Sequence, residues 1–300
     1  MKRHIMILAT MAALGAQIIF GFSFMFTKIS LNYASPMTVI ADRYLVAFFC
    51  MTLVMLLTKQ KIKLKSSMWK IILMALFQPV LYFLFETYGI KLTTSAFSSI
   101  MISLIPVVSM ICGIFTLKEV PSPMQYVFSV ISVIGVIIMT LSGKSSGTIT
   151  FLGIILLIGA VFSSVFFNIS SRKISGEFTV VERTYATTVI GLVAFLSVSL
   201  IENIHNPARI LTSFASPAYM WSILYLGVLS SVVAFLLMNF ANTYLPVAKT
   251  TVFANVTTVI SVIAGMLFLD EKITASVIIS TIMIIFGVTG VQMLSVKNKS

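Results

Sequence analysis

The chain has 300 residues, of which 59% are hydrophobic and only 9% are charged. Soluble domains carry about 25% charged residues, so this composition excludes a water-soluble globular protein. The formal net charge is +12, but the lysines and arginines lie between long apolar runs rather than on a basic module. Membrane orientation explains that distribution, and no nucleic-acid partner is expected.

Taken in chain order, ten apolar runs each reach the ~20 residues that a membrane-spanning helix needs. The first run continues to about Thr27, beyond the length of a signal-peptide core, and predicts an uncleaved first span. We therefore expect an all-α integral membrane protein with ten transmembrane helices. The predicted spans lie near residues 5–27, 36–58, 68–89, 94–117, 121–142, 149–170, 180–201, 217–240, 245–269 and 274–295.

The second half of the chain repeats the plan of the first half at an offset of 152 positions. An apolar run, a short charged corner and a second apolar run follow one another over Leu92–Gly135 and again over Tyr244–Gly287. The matches that chance explains least are one glutamate pair and two glycine pairs: Glu119 with Glu271, Gly113 with Gly265, and Gly135 with Gly287. We predict two repeats of five spans each, residues 1–143 and residues 144–300.

The number of spans in each repeat determines how the two repeats are related. Because five is odd, the second repeat enters the membrane from the side opposite to the first. The repeats are then inverted about a pseudo-two-fold axis in the membrane plane, a plan that recurs in secondary transporters with a site near the midplane.

Twelve lysines and arginines lie in connections on one side and five on the other, which predicts a cell-membrane protein with both termini cytoplasmic.

Several stretches resemble the EamA family. The run Ile19–Phe24 leading to Lys28, and Ser35–Thr38 with Arg43 seven residues after the proline, resemble the opening of an EamA domain. The stretch Tyr82–Glu119 is similar to the third and fourth helices of the same family. The EamA family belongs to the drug/metabolite transporter superfamily.

The resemblance implies ten helices arranged as two inverted five-helix repeats. It also implies a membrane transporter of small organic metabolites, often an exporter. The second half departs from the family pattern, because Thr258 stands where the equivalent of Pro106 is expected and neither Pro36 nor Arg43 has a clear counterpart. Features tied to those positions are therefore expected to be asymmetric.

Three charged residues in the apolar spans are the first candidates for a site, since a charge at the centre of a membrane helix costs at least ~2.5 kcal/mol. Arg43 lies ~10 Å inside the outer end of the second span, and Glu86 lies near the outer end of the third. We expect them to pair as a gate or to bind substrate or a coupling ion; the alternative is a structural ion pair, or snorkelling. Lys249 could serve an anionic substrate, although snorkelling to the inner headgroups is favoured.

Uncharged polar residues form a second group of candidates, because lipid satisfies no hydrogen bonds and some of them must face the interior. The alternative for each is an interhelical hydrogen bond. The pathway candidates are Gln78, Tyr82, Asn255 and Thr258. Pro106 lies inside its span and predicts a helix kink. The corner residues Glu119 and Glu271 lie near water and are predicted to be structural.

No enzyme signature is present. The two histidines, His4 and His205, lie at the terminus and in a loop, so we expect neither a metal site nor a histidine-based triad in the membrane, and no cofactor. We expect a secondary transporter of small organic metabolites such as amino acids or amines, working by alternating access. Its partners would be the substrate, the lipid bilayer and a coupling proton or cation. The alternatives are a flippase for lipid-linked or hydrophobic drug-like substrates and a non-transporting membrane receptor or assembly factor.

Overall fold

The structure is a computed structural model, which describes residues 2–60, 67–116, 119–120, 122–144, 149–204, 213–245, 253–271, 274–294 and 297–298. The helices of the first half are α1 (Lys2–Ser30), α2 (Pro36–Thr58), α3 (Met68–Ala75), α4 (Tyr82–Lys91), α5 (Ser95–Ile102), α6 (Ile105–Thr116) and α7 (Pro123–Lys144). The helices of the second half are α8 (Phe151–Lys173), α9 (Val180–Glu202), α10 (Pro217–Leu224), α11 (Ala234–Tyr244), α12 (Ala254–Leu269) and α13 (Ala275–Met293).

Two strands of two residues each supplement the helices. The strand β1 (Glu119–Val120) pairs antiparallel with β2 (Lys297–Asn298). This short ladder is an addition to the predicted all-helical architecture. It joins the end of the fourth helical run of the first half to the C-terminal residues.

Among the described residues, five helices (α2, α5, α8, α9 and α13) begin after a residue whose side chain accepts a hydrogen bond from a free N–H group of the first turn. Ser35 caps α2 by accepting a hydrogen bond from the Thr38 amide, and Pro36 occupies the first helical position, where its missing N–H costs little. Thr179 and Glu182 form a reciprocal capping box at the start of α9. These helix starts therefore follow from local sequence.

Six helices are long and apolar enough to cross a membrane, when an interrupted helix is counted as one. They are His4–Ser30, Pro36–Thr58, Met68–Lys91, Phe151–Lys173, Val180–Glu202 and Pro217–Tyr244. Four shorter apolar helices lie where the other four spans are predicted: Ser95–Ser109, Pro123–Met139, Ala254–Leu269 and Ala275–Gly290. The described residues thus confirm a helical, multi-pass arrangement, and ten complete spans stay a prediction.

The third and fourth helical runs of the first half are both interrupted. Between α3 and α4 the chain forms a π-helical segment, Leu76–Leu81, in which Gln78 leaves helical geometry at φ −147° and ψ 115°. The second half has a matching π-helical segment, Tyr225–Val233, between α10 and α11. In the fourth run α5 ends at Ile102 and α6 begins at Ile105, so Pro106 lies in the first turn of a new helix, where proline is favoured.

Equivalent helices of the two halves run antiparallel. The Ser35 hydroxyl, at the start of α2, donates to a Glu202 carboxylate oxygen at the end of α9 over 2.9 Å. At the opposite end, the Thr179 hydroxyl before α9 donates to the side-chain oxygen of Gln60, just after α2, over 3.2 Å. Since each helix begins where its equivalent ends, the two halves are inverted with respect to each other.

The last helices of the two halves, α7 and α13, show the same relationship through reciprocal glycine contacts. A Cβ atom added to Gly135 would lie 3.0 Å from the Ser280 carbonyl oxygen, and one added to Gly287 would lie 2.6 Å from the Phe128 carbonyl oxygen. Phe128 and Ser280 are themselves equivalent at the 152-residue offset. Each glycine therefore admits the same part of the opposite helix, as a pseudo-two-fold axis requires.

Replacing Gly287 with alanine is expected to destabilise the α7–α13 contact by about 1–3 kcal/mol or more, because the new methyl group meets backbone atoms that cannot rotate away. The nearest are the Phe128 carbonyl oxygen at 2.6 Å and the Ser132 nitrogen at 2.7 Å. Gly15→Ala is the control, since its Cβ would lie 3.6 Å from its nearest neighbour. Thermal unfolding in detergent measures both variants, and equal melting temperatures would contradict the close approach.

Candidate functional site

A cavity lies in the centre of the bundle, between the two halves. Nine of its described lining residues are apolar and nine are polar. The polar residues are Gln17, Ser23, Arg43, Gln78, Tyr82, Glu86, Ser164, Asn168 and Thr257. They come from α1, α2, the third helical run, α8 and α12, so the cavity is formed jointly by both inverted halves.

Arg43 is the only arginine or lysine in the described wall of this cavity, and its side chain is 2% exposed. Its Nε donates to the Ser231 hydroxyl over 2.6 Å, and its Nη2 donates to the Ser230 hydroxyl over 2.8 Å. The guanidinium carbon lies 4.0 Å from the centre of the Phe83 ring, which is cation–π geometry. No carboxylate lies within ion-pair distance of Arg43 among the described residues, so its direct contacts there are two hydroxyl groups and an aromatic ring.

Glu86 places a carboxyl group on the same cavity. It is 4% exposed, and the Tyr82 hydroxyl, one helical turn earlier, donates to its Oε1 over 2.8 Å. Glu86 and Arg43 line one space without forming the direct ion pair that their positions in the sequence suggested. The cavity therefore presents a cation and a carboxyl group that are separate from each other.

The apolar half of the wall centres on Phe235 of α11. The Phe235 ring meets three other phenylalanine rings at centroid distances of 5.7 Å for Phe20, 6.1 Å for Phe83 and 5.9 Å for Phe167. The Phe20 and Phe167 contacts are edge-to-face, an arrangement that aromatic pairs favour. These rings contribute a rigid apolar surface beside the two ionisable groups.

The structure places the other predicted site residues differently from one another. Gln78 and Tyr82 line the cavity. Asn255 donates to the Thr289 hydroxyl over 2.9 Å and so joins α12 to α13. Thr258 is fully buried and donates to the Ser99 carbonyl over 3.3 Å. Neither Asn255 nor Thr258 is among the described cavity residues, and Lys249 lies outside the residues that the structure describes.

Asp42 is a buried ionisable residue that the sequence reasoning missed. It is 4% exposed, and the Tyr219 hydroxyl donates to its Oδ2 over 2.5 Å. Its position next to Arg43 in an apolar run was the available signal, because any ionisable group inside a span is a candidate. Ser230 and Ser231 gave no comparable signal, since serines are common in membrane helices.

Arg183 is the centre of a separate polar network in the second half. Its side chain is fully buried, with Nη1 donating to the carbonyl and hydroxyl oxygens of Ser171 over 2.9 and 2.8 Å. Its Nη2 donates to the Asn239 carbonyl over 3.1 Å and to the Thr243 hydroxyl over 2.6 Å. Because these partners lie on α8 and α11, Arg183 of α9 connects three helices, and it does so away from the cavity wall.

Comparison with known proteins places the chain in a family. The model of the EamA-like transporter family matches it twice, over residues 7–141 and 151–293. The chain belongs to the EamA-like transporter family. The two matched segments of this EamA-like protein correspond to helices α1–α7 and α8–α13.

Two relatives of this EamA-like transporter are similar along nearly their whole length. The uncharacterized transporter YcxC of Bacillus subtilis (strain 168) is 31% identical over 296 residues, which cover 97% of this chain and 94% of that protein. An uncharacterized transporter of Archaeoglobus fulgidus is 22% identical over 268 residues, covering 89% and 92%. The family and these relatives establish a membrane transporter.

A solved crystal structure shares the fold of this EamA-like transporter. It superposes with a TM-score of 0.68 over 95% of this chain and 98% of its own, at 15% sequence identity. At that identity the likeness concerns the fold alone. Within the described residues no group of three or more His, Cys, Asp or Glu side chains is placed to hold a metal ion.

Proposed function

We propose that this EamA-like protein is a secondary transporter that exports small organic metabolites, amino acids above all, across the cytoplasmic membrane by alternating access. The observation that carries the proposal is the central cavity, which presents Arg43 and Glu86 separately beside a phenylalanine wall. Buried ionisable groups without ion partners are costly. A zwitterionic substrate compensates both of them when it binds.

Each part of such a substrate has a complementary group in the cavity wall. The Arg43 guanidinium has five N–H donors, and protein acceptors in the described residues engage those on Nε and Nη2. The remaining donors suit a carboxylate, which arginine binds strongly. Glu86 accepts the ammonium group, and the side chain packs against the rings around Phe235. An amine without a carboxylate would use Glu86 alone.

The proposal extends to membrane orientation and to coupling. The excess of lysine and arginine on one side of the predicted spans supports cytoplasmic termini. In the proposed cycle the two inverted halves rock about the cavity, which opens it to one side of the membrane at a time. Glu86 is then the group through which a coupling proton or cation enters the cycle, because it is the carboxyl group in the described cavity wall.

The proposal is tested by transport in proteoliposomes. A panel of labelled aromatic and aliphatic amino acids, amines and carboxylic acids is supplied with and without a proton gradient, and export is followed in everted vesicles. We expect saturable transport of amino acids that exceeds that of matched compounds lacking one charged group. Failure of every solute on the panel to move in either direction would overturn the proposal.

The flippase alternative is tested in the same preparation. The phenylalanine-rich half of the cavity wall also suits an amphipathic molecule. Fluorescent phospholipids in the liposome membrane report exchange between leaflets when a quencher is added to one side. Lipid exchange without transport of any amino acid would favour the flippase, whereas the proposed function predicts the reverse.

Glu86→Gln is expected to reduce transport of amino acids and amines at least about tenfold, because an amide cannot carry the charge that attracts an ammonium group. It should also remove any dependence of transport on the proton gradient. Glu177→Gln is the matched control, since Glu177 is an exposed glutamate that pairs with Lys70 on the surface. Equal transport by both variants at equal expression would remove Glu86 from the site.

A further inference from the structure

At the end of the bundle where α1 ends, the Glu271 carboxylate joins the two halves. It accepts hydrogen bonds from the backbone amides of Ser95 over 2.7 Å and of Ala96 over 3.0 Å. These are the first two amides of α5, which have no acceptor within their own helix. A carboxylate at a helix N-terminus is favoured by the helix dipole as well as by hydrogen bonding.

The backbone around Glu271 positions its carboxylate for this contact. Asp270 ends α12 in the left-handed conformation at φ 52°, and the Glu271 amide then donates to the Gly265 carbonyl over 3.2 Å. A Cβ atom on Gly265 would lie 2.7 Å from the Glu271 Oε2. Gly265 is therefore the residue that leaves room for the carboxylate to reach α5.

Lys28 reinforces the same junction from α1. Its Nζ donates to the carbonyl oxygens of Ile90 over 2.8 Å and of Thr93 over 2.5 Å, at the end of α4. Lys28 and Glu271 line one surface depression. The connection between α4 and α5 is thus held by a cation from its own half and by an anion from the other half.

Beneath this junction, a seam of small hydroxyl residues separates the surface from the cavity. Ser95, Ser99, Thr258 and Ser261 are all fully buried between α5 and α12. Their hydrogen bonds across the seam are long, at 3.4 Å between the Ser95 and Ser261 hydroxyls and 3.3 Å from Thr258 to the Ser99 carbonyl. Small residues allow close helix approach, so this seam closes easily and offers little that resists opening.

We propose that Glu271 is a latch that closes the route between the central cavity and the face of the bundle at which α1 ends. The two Glu271 hydrogen bonds are shorter than the hydrogen bonds described between α5 and α12, and they are charge-assisted. Breaking them frees the first turn of α5 and lets the seam part. The inference rests on the proposed function only in identifying this route as the path of the substrate.

The latch is tested by the accessibility of a cysteine in the seam. Ser99→Cys is introduced after Cys50→Ser and Cys112→Ser, and an impermeant thiol reagent is applied to intact cells and, separately, to everted vesicles. Glu271→Gln should raise the labelling rate about tenfold, because its NH₂ group cannot accept one of the two backbone hydrogen bonds and the negative charge is lost. Gly265→Ala should do the same while keeping the charge, since its methyl group displaces the carboxylate.

Asp270→Asn is the matched control. It removes a neighbouring exposed carboxylate, and asparagine tolerates the left-handed conformation that the position needs. We expect it to label at the rate of the parent protein. A second reporter, Met74→Cys, lies at a fully buried position and should stay unlabelled in every variant. This reporter separates opening of the seam from unfolding.

Parent-like labelling of Ser99→Cys in the Glu271→Gln variant would overturn the latch, as would equal increases in the Asp270→Asn control or at Met74. An increase seen only in everted vesicles would support the latch and reverse the proposed membrane orientation. The measurement needs no substrate. Its outcome therefore stands apart from the transport panel, which tests the proposed function by itself.

Discussion

Arg43→Gln is expected to reduce transport of carboxylate-bearing substrates about 100-fold, because two charge-assisted hydrogen bonds worth up to about 3 kcal/mol disappear. Glutamine can still bond to one of the two serines that hold Arg43, so the protein should remain folded. Transport of an amine that lacks a carboxylate should change far less. This difference between substrates distinguishes a binding role from a structural one.

The control for Arg43 is Ser230→Ala. That variant keeps the guanidinium and removes a single hydrogen bond of 2.8 Å that positions it, and we expect only a several-fold loss. Initial rates in proteoliposomes at matched protein density give the comparison. Transport of amino acids by Arg43→Gln at the parent rate would mean that the buried cation serves packing alone and that the carboxylate binds elsewhere.

Arg183→Met is expected to cause the largest loss of stability, about 3 kcal/mol or more, because it leaves buried acceptors without donors. Four hydrogen bonds from the Arg183 guanidinium reach Ser171, Asn239 and Thr243. Methionine fills much of the volume and satisfies none of these groups. Thermal unfolding in detergent should show a melting temperature lower than that of the parent.

Lys173→Gln provides the control for Arg183. It removes one positive charge at an exposed position on the neighbouring helix, away from the buried network. Surface changes of this kind usually alter stability by less than about 0.5 kcal/mol. If both variants melted together with the parent, the Arg183 network would contribute little, and its buried bonds would be replaceable by apolar packing.

The inverted arrangement of the two halves could be predicted from the sequence because the two halves share residues at positions that tolerate no substitute. Gly135 and Gly287 match at the repeat offset, and each is needed where a backbone approaches. Arg43, Glu86, Tyr82 and Gln78 were likewise visible as polar groups in apolar runs, and the structure brings all four to one cavity. Because a polar group inside a membrane helix is costly, such residues can be recognised in the sequence as candidates for a site.

The hydrogen-bond partners of these side chains were harder to predict. Which side chains of two packed helices meet depends on how each helix is rotated about its axis and on the angle at which the helices cross. Arg43 contacts Ser230 and Ser231 in a π-helical segment, where the ordinary helical spacing does not hold. Glu271 was predicted to be a structural corner residue, and its bonds to α5 span 175 positions or more in the chain. Periodicity carries no information about such distant contacts.

The glycine contact between α7 and α13 resembles the self-complementary interface of a symmetric dimer, in which one patch meets its own copy. In a dimer of identical chains, a substitution in that patch would always appear twice. In this single chain each side can change alone. The distance from an added Cβ atom to the opposite carbonyl oxygen already differs, at 3.0 Å for Gly135 and 2.6 Å for Gly287. In the proposed alternating-access cycle, a change on one side is therefore expected to bias the balance between the two opposite-facing states while every residue of the cavity stays the same.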